Sequence, residues 1–179
     1  MFDLDSRGLI HLYCGDGKGK TTAALGLTLR AAGAGMKVVF VQFLKNHKTS
    51  ELVSLEKTPN ITVFRGKEGA AFSFSMTQEE KEKSKLIHTE NLKLGIECVL
   101  SGNCDMLVLD EAIPAFRRDL IDKELLENLI KNKPEHLELV LTGRNPEQWM
   151  IEHADYVSEI KKVKHPFDKG IKARLGIER

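Results

Sequence analysis

The sequence predicts an α/β fold, with helices on both faces of a mostly parallel, doubly wound sheet of about six strands. Apolar segments of strand length alternate with segments of helical periodicity, and no tight hairpin signal joins two strands. Residues 36–43 are nearly continuously apolar, which is typical of a parallel strand that is covered on both faces. The 179 residues suffice for one core, so we expect residues 1–179 to form a single domain.

The first half of the chain predicts three strands, two helices and an irregular loop. In chain order these are a strand at 8–14, a helix at 20–32, a strand at 36–43, a helix at 50–57, a strand at 61–64 and the loop at 66–75. The first helix is rich in Ala and Leu and ends at Gly33 and Gly35, and the second stops before Pro59.

The second half predicts three more strands, each preceded by a helix. Thr77 and Glu80 form a capping box that opens a long helix. The inner face of this helix is predicted to include Leu92, Ile96, Val99 and Leu100. Asp122 is predicted to cap the next helix, and Asn145 the last one, with Pro146 at its first helical position. The strands are predicted at 106–109, 137–141 and 156–160, and a basic tail follows.

A glycine-rich segment between the first strand and the first helix is the strongest local signal. It reads Gly15-Asp16-Gly17-Lys18-Gly19-Lys20-Thr21-Thr22. Glycines let backbone N–H groups converge on an anion, and the following helix adds its positive N-terminal end. Lys20 supplies a mobile cation, and the Thr21 hydroxyl can join the shell of Mg²⁺. The segment therefore predicts a P-loop that binds the triphosphate of ATP, in a RecA-like P-loop NTPase fold.

The loop departs from the usual G-x-x-x-x-G-K-[ST] pattern. Cys14 stands at the first-glycine position and the actual glycine is Gly15, so the loop is one residue short. A structural glycine turn is the alternative interpretation, but the position between a strand and a helix favours the P-loop. A shortened loop can change how the polyphosphate lies.

Polar residues also follow two later strands of the predicted sheet. Asp110 and Glu111 end the strand at 106–109, at the edge where parallel sheets bind ligands, and either is a candidate partner of Mg²⁺ or of its water. Arg144 follows the strand at 137–141 and can fork onto phosphate oxygens. The alternatives are helix-capping acids and a solvated arginine.

Composition and charge exclude several classes of protein. The formal net charge of +1 argues against a broad nucleic-acid binder. Cys14, Cys98 and Cys104 form no C-x-x-C pair, which suits a reducing compartment. No apolar run is long enough to span a bilayer, and residues 1–6 lack the pattern of a signal peptide. We therefore expect a cytoplasmic protein with neither a nucleic acid nor a membrane as partner.

Taken together, the motifs resemble those of the P-loop ATP:cob(I)alamin (corrinoid) adenosyltransferases, among them cob(I)yrinic acid a,c-diamide adenosyltransferase. The resemblance runs from about Gly8 to Glu178 and includes the shortened loop. Its other parts are Val41-Gln42-Phe43, Leu109-Asp110-Glu111, Thr142-Gly143-Arg144-Asn145, the segment 154–159 and, most distinctively, the segment 164–178 from Lys-His-Pro-Phe-Asp-Lys-Gly to Leu-Gly-Ile-Glu.

The resemblance implies transfer of the 5′-deoxyadenosyl group of ATP to the cobalt of a reduced corrinoid, either cobalamin or cobyrinic acid a,c-diamide, with triphosphate as the leaving group. Co(I) is itself the nucleophile, so no Ser, Cys or His nucleophile is required. Lys18, Lys20, the loop amides, Mg²⁺ and Arg144 can then stabilise the departing triphosphate. In the family the nucleotide lies reversed in the loop, which is consistent with the missing residue.

Three further expectations come from the resemblance. The family places a Phe-x-Trp pair under the corrin to remove the axial ligand, and Phe72-Ser73-Phe74 is the matching segment here. Its C-terminal motif implies that His165 frames the nucleotide or the corrinoid. Asp16 stands where the family commonly has a neutral polar residue such as Asn, and a carboxylate beside triphosphate is repulsive unless it faces metal or solvent. For Phe72, Phe74 and His165, structural roles are the alternatives.

The family analogy also implies a flavoprotein reductant and a homodimer. Few residues precede the first strand, whereas many family members carry a longer N-terminal arm that helps to cover the corrinoid. Two other functions remain as hypotheses: a RecA-like ATPase or kinase that uses Glu111 to orient water or substrate, and a non-catalytic nucleotide-sensing module. The released products distinguish these hypotheses.

Overall fold

The structure, a computed structural model, describes residues 7–45, 49–66 and 76–178. Strands and helices alternate through these ranges. The strands are β1 (Ile10–Cys14), β2 (Val38–Gln42), β3 (Ile61–Arg65), β4 (Met106–Asp110), β5 (Glu138–Thr142) and β6 (Tyr156–Glu159). The helices are α1 (Lys20–Gly33), α2 (Ser50–Leu55), α3 (Gln78–Leu100), α4 (Ala112–Arg117), α5 (Lys123–Lys131) and α6 (Gln148–His153), and a 3₁₀ turn spans Pro166–Lys169.

The six strands form one sheet in the order β3-β2-β4-β5-β1-β6, and every neighbouring pair is parallel. Side chains alternate between the two faces along each strand, so Val39 and Val41 join one core while Val38 and Phe40 join the other. Residues of α3, α4, α5 and α6 pack on the first face, and residues of α1 and α2 on the second. The predicted doubly wound parallel fold is therefore confirmed.

The sheet topology brings the predicted functional residues to one edge. Because all strands run the same way, their carboxyl ends meet at a single edge, where open α/β sheets bind ligands. The residues after β1, β2, β4 and β5 all lie there. β2 and β4 are buried at every position, whereas β6 is exposed throughout and forms one border of the sheet. No helix in the described ranges is long and apolar enough to cross a membrane.

Two predicted helix starts are confirmed in atomic detail. The Glu80 N–H donates to the Thr77 hydroxyl at 3.2 Å, and the Thr77 N–H donates to the Glu80 carboxylate at 2.7 Å, which completes the capping box. Asp122 accepts a hydrogen bond from the Leu125 N–H at 3.0 Å, which caps α5.

Part of the predicted inner face of α3 is wrong. Leu92 and Val99 are buried and Ile96 is half-buried, but Leu100 is 76% exposed. Successive residues on a helix point about 100° apart, so a buried Val99 directs its neighbour away from the sheet. Gly95 completes the packed stripe, because a Cβ there would lie 3.1 Å from a methyl of Leu107.

The predicted start of the last helix is also wrong. Asn145 has φ 54°, in the left-handed region, whereas an N-cap residue adopts extended geometry, as Glu147 does one position before α6. Helix α4 was not predicted, because Pro114 resembles a helix breaker. Pro114 is the third residue of α4, where its missing N–H has no partner to lose.

Candidate nucleotide site

A cleft of about 760 Å³ lies at the carboxyl edge of the sheet. Residues Asp16–Thr22 of the P-loop, which is defined here as residues 15–22, line the cleft, and C-terminal residues from His165 to Glu178 form another wall. Lys45, Glu51, Glu111 and Arg144 also line it. The cleft therefore gathers the polar residues that follow β1, β2, β4 and β5.

The glycines of the P-loop serve two separate purposes. Gly15 has φ 99°, and a Cβ there would lie 2.4 Å from the Ile160 carbonyl oxygen. Gly17 donates its N–H to that same oxygen at 2.7 Å, and a Cβ at Gly17 would lie 2.8 Å from it. These two glycines allow the loop to pack against the end of β6. Gly19 has φ 125° with open space around it, which leaves the entrance to α1 accessible.

The first turn of α1 is arranged for an anion. No side chain caps this turn within the described residues, and no acidic residue lies in it. Lys20 is buried, and its ammonium donates to the Gly17 carbonyl at 2.7 Å. Burial lowers the pKa of Lys20, and the Arg144 charge lowers it further. An ammonium has three donors, so Lys20 retains capacity for phosphate oxygens.

Asp110 is the centre of a buried hydrogen-bond network. One of its oxygens, Oδ1, accepts the Thr21 hydroxyl at 2.8 Å and the Thr142 hydroxyl at 2.8 Å. Thr142 also accepts the Glu111 N–H at 2.9 Å. Asp110 itself is fully buried. The network joins the P-loop helix to the ends of β4 and β5.

Lys45 forms an ion pair with Asp110 from the end of β2. Its ammonium lies 3.2 Å from Asp110 Oδ2 and 3.1 Å from Glu51 on α2. Gln42 donates to the same Glu51 carboxylate at 3.1 Å. Burial lowers the pKa of Lys45, but the charges of Asp110 and Glu51 outweigh this and raise it above its ordinary value. Lys45 thus compensates the buried charge of Asp110.

Glu111 lies at the cleft in an unusual backbone conformation. Its φ of 61° and ψ of 25° are left-handed, which is costly for a residue other than glycine and is frequent at functional sites. Burial raises the pKa of its carboxyl group, and the adjacent charge of Asp110 raises it further. The carboxyl group of Glu111 is consequently easier to protonate than an exposed one.

Arg144 follows a glycine that no other residue can replace without a clash. Gly143 has φ 147°, and a Cβ there would lie 2.3 Å from Pro114 Cδ and 2.7 Å from Ile113 Cβ. Close packing of β5 on α4 thus fixes where the chain leaves the sheet. Arg144 is exposed and lines the cleft next to the P-loop.

The sequence profile of one protein family matches residues 6–179, nearly the whole chain. Its description is ATP:corrinoid adenosyltransferase BtuR/CobO/CobP. The chain belongs to this family.

Curated relatives support the same assignment. The corrinoid adenosyltransferase of Escherichia coli K12 is 34% identical over 175 residues, which cover 97% of this chain and 87% of the relative. The corrinoid adenosyltransferase CobA of Salmonella typhimurium LT2 matches with the same identity and coverage. The corrinoid adenosyltransferase of Pseudomonas aeruginosa is 32% identical over 175 residues, which cover 97% of this chain and 85% of the relative.

Solved structures confirm the predicted P-loop NTPase fold. A KaiC-like protein from Pyrococcus horikoshii OT3 superposes with a TM-score of 0.55 at 20% identity, covering 88% of this chain and 75% of the other. The cytoplasmic domain of EssC superposes with a TM-score of 0.55 at 16% identity, covering 94% of this chain and 34% of the other. At these identities the likeness concerns the fold alone.

Most of the predicted site residues of this family member lie together in the structure. Residues Asp16, Gly17, Lys18, Gly19, Lys20, Thr21, Thr22, Glu111, Arg144 and His165 all line the cleft. Gly15 lies at the start of the loop. Asp110 contacts two residues that line the cleft, because it accepts the Thr21 hydroxyl and forms an ion pair with Lys45. Phe72 and Phe74 lie outside the described residues.

Two predicted residues make contacts that the sequence did not show. His165 precedes the 3₁₀ turn, and its ring nitrogen Nδ1 accepts the Phe167 N–H at 3.1 Å, so it caps this turn while it lines the cleft. Asp16 lines the cleft as well, but its carboxylate accepts the Lys162 N–H at 2.9 Å.

Sequence reasoning missed Lys45, Glu51 and the hydroxyl of Thr142. A usable signal existed for Lys45, because it follows β2 at the same sheet edge as Asp110 and Arg144. Glu51 lies in the first turn of α2 and carried no motif. The donor role of Thr142 depends on the alignment of β5 beside β4, which the sequence does not specify.

Proposed function

We propose that this chain transfers the 5′-deoxyadenosyl group of ATP to the Co(I) ion of a reduced corrinoid, with inorganic triphosphate as the leaving group. The observation that carries the proposal is the family match over residues 6–179, which includes the shortened P-loop. The cleft supports it further, because the uncapped start of α1 and the buried Lys20 offer one concentrated site for a polyanion.

The reaction determines what the protein must supply. The Co(I) ion donates an electron pair to C5′, a cobalt–carbon bond forms, and the C5′–O bond breaks. The bonding electrons of C5′–O leave with the triphosphate oxygen, and the cobalt ends as Co(III). Because the metal ion of the substrate is the nucleophile, the protein has two tasks: to hold C5′ in line with cobalt and to stabilise the charge that develops on triphosphate.

Lys18, Lys20, Arg144 and the amides of the P-loop are the groups we assign to the triphosphate. Lys20 is buried against the loop, while Lys18 and Arg144 are exposed to the cleft. Fixed donors in a partly buried site stabilise developing charge without reorganisation. The adenosine would then extend from the loop toward the open cleft, in the reversed direction that the shortened loop suggests.

The residues present fit Mg²⁺ bound together with ATP. Thr21 supplies a hydroxyl oxygen beside the carboxylate of Asp110, and Glu111 supplies a second carboxylate that faces the cleft. Hydroxyl, carboxylate and phosphate oxygens are the ligands that Mg²⁺ prefers. The described residues include no cluster of three or more His, Cys, Asp or Glu side chains able to hold a metal ion. When bound, Mg²⁺ would neutralise part of the triphosphate charge.

The corrinoid side of the reaction is assigned by analogy with the family. We propose that Phe72 and Phe74 pack beneath the corrin and exclude the axial base, which makes reduction of Co(II) to Co(I) easier. A flavoprotein reductant, a homodimer and a cytoplasmic location belong to the same proposal. The corrinoid is cobalamin or cobyrinic acid a,c-diamide.

A phosphoryl-transfer reaction is the second candidate, and Glu111 is the observation that favours it. A partly buried carboxyl group with a raised pKa beside a P-loop resembles a residue that orients water or an acceptor hydroxyl group. This reaction would break a phosphoanhydride bond and leave C5′ untouched.

Anaerobic incubation with ATP, Mg²⁺ and a chemically reduced corrinoid tests the proposal. We expect the corrinoid absorption spectrum to change to that of an alkylcobalt species, with one triphosphate released per corrinoid. Release of ADP and phosphate with no change in the corrinoid spectrum would establish phosphoryl transfer instead. Tight ATP binding with neither product, even under strong reductant, would indicate a nucleotide-sensing module.

A further inference from the structure

The C-terminal segment 160–178, called the strap below, is attached by one hydrogen bond to Cys14 at the end of β1 and by two to the P-loop. The Ile160 N–H donates to the Cys14 carbonyl at 2.8 Å, and the Gly17 N–H donates to the Ile160 carbonyl at 2.7 Å. The third bond joins the Lys162 N–H to the Asp16 carboxylate at 2.9 Å. The first two are made by the backbone alone, and the third uses the side chain of Asp16.

Beyond Lys162 the strap makes few described contacts with the P-loop, one of which is an electrostatic interaction between Glu178 and Lys18. Its described hydrogen bonds are internal: Lys162 pairs with Asp168 at 3.0 Å, and Arg174 pairs with Glu178 at 2.8 Å. The strap nevertheless forms one wall of the cleft, because residues from His165 to Glu178 line it. Most residues of this wall are exposed, and Phe167 is 73% exposed, so burial contributes little to holding the wall in place. The attachment next to the loop therefore has a large influence on the position of the wall.

The carboxylate of Asp16 would repel a triphosphate if it pointed into the P-loop. The structure gives it another partner, because Oδ1 accepts the Lys162 N–H. This hydrogen bond is the largest cause that lowers the pKa of Asp16 below its ordinary value. The oxygen is thus used as an acceptor for the strap.

We infer that Asp16 is a positioning residue that secures the strap to the P-loop and thereby raises the affinity of the cleft for ATP, without touching the triphosphate or its metal ion. This inference rests on the proposed function, because it assumes that the P-loop holds the triphosphate of ATP. Asp16 makes two opposing contributions. Its oxygen holds the wall of the cleft, and its negative charge weakens the binding of a polyanion.

Two substitutions at this position separate the oxygen from the charge. Asp16→Asn retains an oxygen that accepts the Lys162 N–H and removes the negative charge. Asp16→Ala removes both. The residue is exposed and lies outside the core, so both variants are expected to fold, and a thermal melt checks this.

ATP binding to the full chain with Mg²⁺ and without corrinoid, measured by isothermal titration calorimetry, is the first readout. We expect Asp16→Ala to raise the Kd for ATP about three- to tenfold, the loss of one hydrogen bond. We expect Asp16→Asn to lower the Kd about two- to threefold, because a surface charge of the wrong sign is gone. Opposite signs from one position are the signature of a positioning role.

Limited trypsin digestion of the ligand-free protein is the second readout. Trypsin cleaves after the basic residues of the strap, which are Lys161, Lys162, Lys164, Lys169, Lys172 and Arg174. We expect cleavage within the strap to be several times faster in Asp16→Ala than in the unmodified chain, and unchanged in Asp16→Asn.

Other patterns would overturn the inference. A higher Kd for ATP in both variants, with unchanged tryptic cleavage of the strap, would mean that Asp16 contacts the metal ion or the nucleotide. A lower Kd for ATP in both variants would mean that Asp16 acts through its charge alone. Failure of the unmodified chain to alkylate a corrinoid would contradict the proposed function, yet it would leave the binding and cleavage results intact, so the two failures are distinguishable.

Discussion

Thr21 donates its hydroxyl to Asp110 at 2.8 Å, although 89 residues separate the two in the sequence. Thr21 lies in the first turn of α1 and Asp110 ends β4. The hydrogen bond therefore connects the first turn of α1 to the carboxyl end of β4. Thr142 donates to the same oxygen from β5, which fixes the carboxylate from two sides.

The first prediction concerns Thr142 and the stability of this network. Thr142→Val removes the buried donor to Asp110 and leaves the partly buried Glu111 N–H without its acceptor. We expect the free energy of unfolding to fall by about 1–3 kcal/mol. Thr142→Ser is the matched control, since it keeps the hydroxyl and should cost less. Denaturant unfolding of both variants measures the difference, and a loss in Thr142→Ser as large as that in Thr142→Val would contradict the larger contribution expected of the hydroxyl.

The second prediction concerns Lys20. Lys20→Ala removes the buried ammonium beside the Gly17 carbonyl, so turnover should fall by about two orders of magnitude or more. ATP binding should weaken in parallel, which equilibrium binding of a labelled nucleotide would measure. Lys131→Ala is the control, because Lys131 forms an exposed ion pair with Glu127 on α5, and its removal should leave turnover unchanged. Full activity of the Lys20→Ala variant would show that Lys20 does not take part in the reaction.

The third prediction concerns pH and Glu138, at the start of β5. Burial raises the pKa of Glu138, but hydrogen bonds from His11 and from the Leu9 N–H outweigh this and lower it below 4.5. A depressed pKa in the folded state gives stability that is present above pH 4.5 and is lost as pH falls through the folded pKa.

Glu138→Gln should therefore cost about 1–2 kcal/mol near neutral pH, and the difference from the unmodified chain should shrink below pH 4.5. Unfolding free energies measured across pH 3–8 provide the check. Glu135→Gln, at an exposed position nearby, should change stability by less than about 0.5 kcal/mol. A constant difference across the whole range would mean that the charge of Glu138 contributes nothing.

The fourth prediction concerns Phe72, which lies outside the described residues. If its ring excludes the axial base of the corrinoid, Phe72→Ala should slow the reaction that starts from Co(II) far more than the reaction that starts from prereduced Co(I). Parallel assays with a weak reductant and with prereduced corrinoid measure the ratio. An equal loss in the two assays would contradict the role in removing the axial ligand.

The fold was largely predictable because its signals are local. Continuous apolar runs marked the buried strands β2 and β4, the capping box marked α3, and Asp122 marked α5. Errors arose where tertiary packing decides the conformation. Asn145 adopts a left-handed turn instead of capping a helix, because the chain must leave β5 past a tight contact with α4.

The candidate site was predictable where a local sequence motif specifies its residues, as in the P-loop. It was not predictable where two distant residues meet. The ion pair of Lys45 with Asp110 depends on β2 lying beside β4, and the bond of Asp16 to the Lys162 N–H depends on β6 lying beside β1. Neither strand order follows from local sequence, so these contacts required the structure.

The proposed reaction breaks the bond between C5′ and its oxygen. An ATP analogue with a methylene group between the β- and γ-phosphorus atoms tests it directly, because this analogue cannot lose its γ-phosphoryl group but still offers C5′ and an intact leaving group. With reduced corrinoid and Mg²⁺ we expect the analogue to form the alkylcobalt product at a rate comparable with that of ATP. No alkylcobalt product from the analogue, together with ADP and phosphate from ATP, would contradict the account.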